Sequence, residues 1–339
     1  MPDSKAAKIL VVGPSWVGDM VMAQSLFITL KQAEPECRID VLAPAWTFSL
    51  LERMPEVASA IAMPLTHGQF GLMDRIRLGR QLRSAGYNQA ILLPNSWKSA
   101  LTPFFADIPV RTGYVGECRW GLLNDARKLD KKRLTMTVQR FVALGLPKTA
   151  SLPPDYPVPR IVIDADRQRQ VIEQFNLTPS EKILALCPGA EYGPAKRWPA
   201  GYYAEVARQK IAQGWQVWLF GSDKDKDAAE SINQETGRQC IDFSGRTSLA
   251  EAVDLLSLAN TVVTNDSGLM HVAAALDRKT VAVYGSSDPG FTPPLNQQAR
   301  VLSLNLDCAP CFKRECPQGH TRCLTEIRPG QVLDLITAD

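Results

Sequence analysis

A glycine-rich turn, a helix start and a carboxylate meet in the stretch GPSWVGDM, residues 13–20. Gly13 and Gly18 have the spacing of a phosphate-binding Walker loop, but Asp19 stands where that loop needs a lysine. The dipole of a helix keeps a carboxylate ionised at its start, so Asp19 can take a proton from an incoming hydroxyl while Gly18 leaves the approach open. The alternative is that Asp19 only caps its helix.

Two loops in the second half of the chain suit a nucleoside diphosphate. The loop CPGAEYGPAKRWP, residues 187–199, contains Gly189 and ends in Lys196 and Arg197, two cations that can neutralise a diphosphate leaving group. The loop FGSDKDKD, residues 220–227, offers backbone approach at Gly221 and groups for ribose hydroxyls at Ser222, Asp223 and Asp227. A surface Lys-Arg pair and solvated carboxylates in a first helical turn are the alternatives.

The stretch TNDSGLMH, residues 264–271, predicts a strand-to-helix turn that attracts phosphate. The amide groups of a first helical turn have no partner within the helix, and the residues at this turn are Asn265, Asp266, Ser267 and Gly268. His271 follows one turn into the helix and can donate a hydrogen bond to a phosphate or sugar oxygen. Alternatively, Asp266 or Ser267 caps the helix and His271 packs in the interior.

Short apolar runs alternate with amphipathic segments of helix length, which predicts parallel αβα sheets in both halves. Strands KILVVG, IDVLAP and AILLP precede helices at 20–33, 45–53 and 96–106. Strands KILALCPG, WQVWLFGS, CIDFSG and TVVTNDSG precede helices from about 199, from 224, at 248–259 and at 267–276, and KTVAVYGSS is a further strand. The predicted fold class is α/β, with two Rossmann-like αβα domains facing each other across a cleft and ligands at the carboxyl ends of the strands.

A proline-rich stretch interrupts this alternation between residues 147 and 159. The five prolines exclude both a helix interior and a central strand there. The sequence therefore predicts a first domain at 1–150, a linker at 151–160 and a second domain at 161–339.

Composition and charge exclude several classes of protein. A net charge of +3 and the lack of any recognition signature argue against nucleic acid. No apolar run reaches the ~18 residues of a membrane-spanning helix, and the first residues lack a signal peptide, so we expect a cytoplasmic protein. No GxGxxG follows either first strand, which disfavours a nicotinamide dehydrogenase. The basic stretches at 74–84 and 126–133 are either solvated surfaces or contacts for an anionic partner or membrane.

Four of the eight cysteines lie together in CAPCFKRECPQGHTRC, at Cys308, Cys311, Cys316 and Cys323. The initial CxxC is a metal-ligand spacing, but the later gaps do not fit a common zinc module. A structural zinc, with His320 as an alternative ligand, is one interpretation; free thiols in a stabilised loop are the other. We expect the remaining four, Cys37, Cys118, Cys187 and Cys240, to be packing residues.

Several long motifs closely resemble the ADP-heptose:lipopolysaccharide heptosyltransferase family over about Lys8 to Pro294. They are GPSWVGDMVMAQSLF, MPLTHG, LPNSWKSALTPFFADIPVRTGYVGECRWGLLND, PGAEYGPAKRWP and TNDSGLMHVAAAL. The resemblance implies a GT-B fold with an acceptor-binding first domain and a donor-binding second domain. It also implies transfer from ADP-L-glycero-β-D-manno-heptose onto the first heptose of the lipopolysaccharide inner core, with inversion and without an essential metal or other cofactor.

The same resemblance assigns roles to individual residues. Asp19 matches the general base and Lys196 the phosphate-binding lysine, and the turn at Asp266 to Gly268 with His271 matches the part of the donor site that meets diphosphate and heptose. Residues that match acceptor-domain motifs are Ser15, Trp16, Gly18, Lys98, Arg111 and Arg119. The implied partners are ADP-heptose, a glycan linked to lipid A and the cytoplasmic face of the inner membrane, and we expect a monomer.

Three other functions compete with this interpretation. Another heptosyltransferase type of the same family would differ in its acceptor. A GT-B nucleotide-sugar epimerase would need further acid or base groups in the donor cleft. A metal-binding scaffold built on the cysteine segment would have no transferase activity.

Overall fold

The computed structural model describes residues 6–65 and 69–337. Thr66, His67 and Gly68, which end the motif MPLTHG, lie outside these residues. Contacts divide the chain into two compact units, Met1–Pro159 and Arg160–Asp339. The division falls inside the predicted linker at 151–160.

Unit 1 is a six-stranded parallel sheet with helices between its strands. Its strands are β1 Lys8–Val12, β2 Arg38–Ala43, β3 Val57–Ala62, β4 Gln89–Leu92, β5 Val110–Tyr114 and β6 Asp125–Arg127. Its helices are α1 Val17–Ala33, α2 Phe48–Leu51, α3 Leu72–Leu82, α4 Leu101–Phe105 and α5 Thr137–Gly145. The strand order is β3-β2-β1-β4-β5-β6.

Unit 2 repeats the same architecture. Its strands are β7 Ile183–Cys187, β8 Gln216–Leu219, β9 Ile241–Asp242, β10 Thr261–Asn265, β11 Lys279–Val283 and β12 Arg300–Leu302. Its helices are α6 Ala165–Gln174, α7 Ala200–Ala212, α8 Lys226–Glu235, α9 Leu249–Leu256, α10 Gly268–Ala275, α11 Arg322–Thr325 and α12 Pro329–Thr337. The strand order is β12-β11-β10-β7-β8-β9.

The central strands form because they are continuous apolar runs, which suit a sheet covered by helices on both faces. All five residues of β7 are buried, as are all five of β10. These two strands pair in parallel with Val263 opposite Leu186. Side chains fix helix starts in this unit too: the Asp164 carboxylate accepts from the first amides of α6, and Ser248 and Glu251 form a capping box on α9.

The strand order of each unit reverses at one point. In unit 1 this point lies between β1 and β4, and in unit 2 it lies between β7 and β10. Ligands of doubly wound sheets bind in the crevice that opens there, outside the carboxyl ends of the strands. The α/β prediction is confirmed, and the loops after β1, β4, β7 and β10 are the places to look for a site. Among the residues described, no helix is both long and apolar enough to cross a bilayer.

Candidate functional site

The site of unit 2 centres on an ion pair between the loops that follow β7 and β10. Lys196 ends a short 3₁₀ turn, Pro194–Lys196, and its Nζ lies 2.5 Å from the Oδ2 of Asp266. Both side chains are largely buried, with 16% of Lys196 and 5% of Asp266 exposed. Tyr192 covers the ammonium group, whose Nζ is 5.0 Å from the ring centroid. Sequence reasoning placed both residues near phosphate but did not predict that they pair.

The neighbouring residues fix the position of this pair. Trp198, two residues after Lys196, is 2% exposed, and its indole N–H donates to the carbonyl of Ile327 at 2.9 Å. The ring packs edge-on against Tyr203, with the centroids 4.9 Å apart. This buried aromatic contact anchors the end of the loop, so Lys196 projects from a rigid base.

Asn265 braces the two loops and does not face a ligand. Its Oδ1 accepts from the Trp198 amide at 3.0 Å and from the Tyr203 hydroxyl at 3.0 Å. Its Nδ2 donates to the carbonyl of Pro188 at 2.6 Å, and the residue is fully buried. The direct donor contact predicted for Asn265 does not fit this placement, because its amide is already committed to the protein.

The start of α10 lies beside Lys196. Ser267 occupies the N-cap position, where its Oγ lies 3.2 Å from the Oγ1 of Thr264, and Gly268 begins the helix. Ser267 and Gly268 are both half-buried. Because the first-turn amides of a helix have no intrahelical acceptor, this end carries partial positive charge next to the Lys196 ammonium group. The arrangement is suited to an anion.

His271 belongs to the first turn of α10 and is 5% exposed. Burial lowers its pKa to about 4, against the opposing effect of Asp266 and with the help of Lys196. The imidazole is therefore neutral at pH 7 and is not a cation in the site. The sequence left open whether His271 packs or binds a ligand, and the structure places it in the interior beside the ion pair.

The loop after β8 contributes a carboxylate that the sequence analysis missed. Asp225 is 8% exposed and accepts from both the amide and the hydroxyl of Ser222, at 2.9 and 2.8 Å. It also lies 3.6 Å from the guanidinium of Arg197. A Cβ at Gly189 or Gly221 would lie within 2.7 Å of Asp225, so both positions require glycine. The signal for Asp225 was its place three residues after Ser222, which is the spacing of a capping box.

The predicted ribose ligands of this loop point outward. Asp223 pairs with Lys226 at 2.6 Å and remains 79% exposed, and Asp227 is also exposed. Ser222 is exposed as well. All three are accessible to a ligand, in contrast to Asp225.

In unit 1, Asp19 stands in the first turn of α1, directly after β1, and is half-buried. Trp16 precedes the helix at its N-cap position, and Ser15 is half-buried beside it. Gly18 lies inside the helix and is buried, so it does not form the turn that the sequence suggested. The close approach occurs instead at Gly13, where a Cβ would lie 2.8 Å from the Met20 methyl carbon.

Exposed aromatic residues follow the first five strands of unit 1. Trp16, Trp46, Phe70, Trp97 and Trp120 come after β1, β2, β3, β4 and β5, and each is between 40% and 70% exposed. The rings of Phe70 and Trp97 are 5.0 Å apart, and the indole N–H of Trp46 donates to the carbonyl of Ser15 at 3.4 Å. The carboxyl ends of parallel strands share one edge of a sheet, so these rings belong to the ligand-facing edge. Sequence reasoning singled out only Trp16.

Arg119, predicted to contact an acceptor, is 1% exposed. Its Nη1 donates to the carbonyl of Pro94 at 2.8 Å, and its Nη2 donates to the carbonyl of Tyr114. Burial lowers its pKa. The prediction of direct contact does not fit this placement. Arg119 instead ties the loop after β4, which carries Lys98, to the end of β5.

Arg111 and Arg75 also serve the fold. The Nε of Arg111 donates to the carbonyl of Leu122 at 2.7 Å, and its Nη1 donates to that of Ile108 at 2.6 Å. Arg75, from the basic stretch at 74–84, is 6% exposed and donates to the carbonyl of Lys98 at 3.2 Å. Lys98 itself is half-buried at the carboxyl edge of the sheet. Of the three cations predicted to contact the acceptor, Lys98 is the one that lies at the carboxyl edge of the sheet, so its contact with the acceptor stays a prediction.

The cysteine segment belongs to unit 2. Cys308, Cys311, Cys316 and Cys323 are all free thiols and partly exposed. In residues 6–65 and 69–337, no three His, Cys, Asp or Glu side chains already form a set that could hold a metal ion. Of the other four cysteines, Cys37, Cys187 and Cys240 are buried as expected, but Cys118 is exposed.

The depressed pKa of His271 predicts a pH effect on stability. The folded chain has the lower pKa, so the unfolded chain binds more protons as the pH falls from 6.5 to about 4. The contribution of neutral His271 to the free energy of unfolding is complete above pH 6.5. It falls by roughly 3 kcal/mol as the pH drops through this window. We expect urea unfolding at pH 7 and pH 4 to show that the free energy of unfolding of the native chain falls by this amount more than that of His271→Gln. A difference between the two chains that stays constant with pH would contradict the assignment.

Comparisons with known proteins agree with this geometry. The family model described as Glycosyltransferase family 9 (heptosyltransferase) matches residues 75–322. Lipopolysaccharide heptosyltransferase 2 of Salmonella typhimurium is 50% identical over 336 residues, covering 96% of this chain and 97% of the relative. Lipopolysaccharide heptosyltransferase 2 of Escherichia coli K12 is 48% identical over 340 residues, 98% of each chain.

A solved structure extends the agreement to three dimensions. The structure of E. coli ADP-heptose lps heptosyltransferase II matches with a TM-score of 0.87 at 45% identity, covering 98% of both chains. The two doubly wound units are thus those of a GT-B glycosyltransferase. On the family match and the full-length identity together, this chain belongs to glycosyltransferase family 9, the heptosyltransferases.

Proposed function

We propose that this chain transfers L-glycero-D-manno-heptose from ADP-heptose to the first heptose of the lipopolysaccharide inner core. The observation that carries the proposal is the Lys196–Asp266 pair beside the start of α10, in a chain that shares half its residues with a lipopolysaccharide heptosyltransferase 2. The pair suits the diphosphate of the donor, and the similarity to a lipopolysaccharide heptosyltransferase supports the choice of a heptose donor and a lipopolysaccharide acceptor. The protein acts as a monomer in this proposal.

The donor binds to unit 2 in three parts. Its diphosphate contacts Lys196, Arg197 and the first-turn amides of α10, including those of Ser267 and Gly268. Its ribose contacts the exposed polar groups of Ser222 and Asp223 near the close-approach glycines. Asp266 accepts a hydrogen bond from a heptose hydroxyl while it continues to orient Lys196. Together these cations and amides supply the charge that balances the leaving diphosphate, so the proposed step needs no metal ion.

The acceptor binds along the aromatic edge of unit 1. Exposed indole rings pack well against the C–H faces of sugars while leaving their own polar N–H groups for hydrogen bonds. Trp16 and Trp97 flank the point where the strand order reverses, because they follow β1 and β4. Lys98 adjoins Trp97 and meets an anionic group of the inner core, such as a carboxylate or a phosphate.

The proposed reaction is a single displacement. Asp19 takes the proton of the attacking acceptor hydroxyl as the new bond forms from that oxygen to the anomeric carbon. The bond from the anomeric carbon to the diphosphate breaks at the same time, and ADP leaves with the negative charge that Lys196 stabilises. Attack from the side opposite the leaving group inverts the anomeric centre.

The decisive test is mass spectrometry of a truncated, lipid-free inner-core acceptor incubated with ADP-heptose. The native chain should add one heptose and release ADP. Asp19→Asn should lower the rate by about 10²- to 10⁴-fold, the usual contribution of a positioned base. The matched control is Asp74→Asn, which alters another first-turn carboxylate of unit 1 and should leave the rate unchanged. No transfer by the native chain would refute the function, and an Asp19→Asn rate within a few-fold of native would refute the role of Asp19.

We further propose that unit 1 contacts the anionic cytoplasmic face of the inner membrane through α3. Leu72 and Met73 are exposed at the start of this helix, with Met73 66% exposed. Met73 and Ile76 line a surface pocket together with Arg77 and Arg80. Apolar side chains beside arginines are typical of helices that lie in a lipid interface. A second basic stretch, with exposed Lys128, Lys131, Lys132 and Arg133, adds to the charge of unit 1.

Sedimentation with vesicles of phosphatidylethanolamine and phosphatidylglycerol tests this contact. At about 1 kcal/mol for each basic residue near the surface, Arg77→Gln with Arg80→Gln should weaken binding roughly 30-fold. Arg169→Gln with Arg238→Gln removes the same charge from unit 2 and should have little effect. Equal losses in the two double variants would show that only net charge matters and would contradict a docking role for α3.

A further inference from the structure

The segment between β12 and α11, residues 303–321, forms no helix or strand. All four clustered cysteines, Cys308, Cys311, Cys316 and Cys323, line one small cavity in unit 2. Its volume is about 20 Å³, which is room for a single small atom or ion. Irregular backbone lacks the hydrogen bonds that hold a helix or strand, so a segment of this kind needs another source of stability.

The backbone makes a tight turn directly after Cys316. The chain turns tightly here, with the Gly319 amide donating to the Cys316 carbonyl at 3.0 Å and Gly319 at φ +72°. Cys316 therefore reaches the shared cavity from a fixed turn of the backbone.

His320 also lines the cavity, but its ring is already committed. The Arg322 amide donates to the Nδ1 of His320 at 3.0 Å, so Nε2 carries the proton. That nitrogen donates to the Oε1 of Gln318, which lies 2.5 Å away. Both ring nitrogens therefore have partners, and the His320 ligand considered from the sequence is disfavoured. The four sulfurs remain as the set.

We propose that Cys308, Cys311, Cys316 and Cys323 bind one thiophilic divalent cation in tetrahedral geometry, for which zinc is the expected ion. Four thiolates without a histidine or carboxylate favour zinc over harder ions. Each sulfur loses its proton to solvent on binding. Because the four thiols do not yet form a closed ligand set, the ion draws them together in the cavity that they already share.

The ion would act on the donor site by holding the loop of Lys196. The Ala195 amide donates to the carbonyl of Arg314 at 3.0 Å, and the Tyr192 hydroxyl donates to that of Phe312 at 2.7 Å. A Cβ at Gly193 would lie 2.5 Å from the Arg314 carbonyl oxygen, so the two backbones are in close contact. The cysteine segment is thus the support behind residues 192–195. Its metal ion is a positioning element and not a catalytic one.

Elemental analysis and cobalt binding test the site without any transfer assay. The full-length chain, purified under reducing conditions, should contain about one zinc ion. Cobalt titrated into the chelated protein should produce thiolate-to-cobalt charge-transfer bands and the ligand-field bands of a tetrahedral ion. Cys308→Ser and Cys316→Ser should each lose the tetrahedral spectrum, whereas Cys118→Ser, which alters an exposed cysteine of unit 1, should keep it. A native chain that contains no metal and shows no such bands would overturn the proposal.

Hydrogen exchange separates loss of the ion from loss of the fold. Chelation should speed exchange of the amides of Gly193 and residues 195–197 at least several-fold, while those of β1 in unit 1 remain unchanged. Unchanged exchange at Gly193 and residues 195–197 in protein shown to have lost its ion would overturn the positioning role. Faster exchange throughout the chain would overturn it as well, because the effect would then be global unfolding.

Discussion

The pairing of Lys196 with Asp266 is the interaction on which the donor site depends. Taking both charges out of water costs free energy, and close contact repays it only where the geometry is held fixed. The surrounding residues supply that geometry: Trp198 anchors one loop, Asn265 joins it to the end of β10, and neutral His271 adds no further charge. The result is an ammonium group positioned next to the start of α10 before any ligand arrives, which is the preorganisation that charge stabilisation requires.

Unit 1 has the same sheet topology as unit 2 but serves a different purpose. Its loops at the point of strand reversal hold the Asp19 carboxylate, exposed indoles and Lys98, so the edge suits a neutral hydroxyl, sugar faces and an anionic group of the acceptor. Buried arginines position these loops: Arg119 and Arg75 both donate to backbone carbonyls of the loop that carries Trp97 and Lys98. The glycine-rich start that looked like a defective phosphate loop is consistent with this division, because unit 2 already provides the groups for phosphate.

Sequence patterns predicted the central strands and the loops that matter, because continuous apolar runs and strand-to-helix turns are local signals. The strands β3, β5, β6 and β12 were missed: β6 and β12 have only three residues each, β3 has no buried residue, and β5 begins with an exposed and a half-buried residue. Roles that depend on distant partners were missed too: Arg119 looked like a surface cation, and Asn265 looked like a ligand, until their contacts across the fold were known. The sequence shows which residue type a loop carries, but it does not show which distant residue that side chain contacts.

The claim at the centre of this account is that Lys196 meets the diphosphate of the donor. Calorimetric titration with ADP of the native chain and of Lys196→Gln tests it most directly, with Lys182→Gln as a control that removes the same charge from the opposite, amino end of β7. The account predicts that Lys196→Gln weakens ADP binding about tenfold or more, the usual effect of losing a charged hydrogen bond, and that Lys182→Gln binds as the native chain does. Native affinity in Lys196→Gln would contradict it.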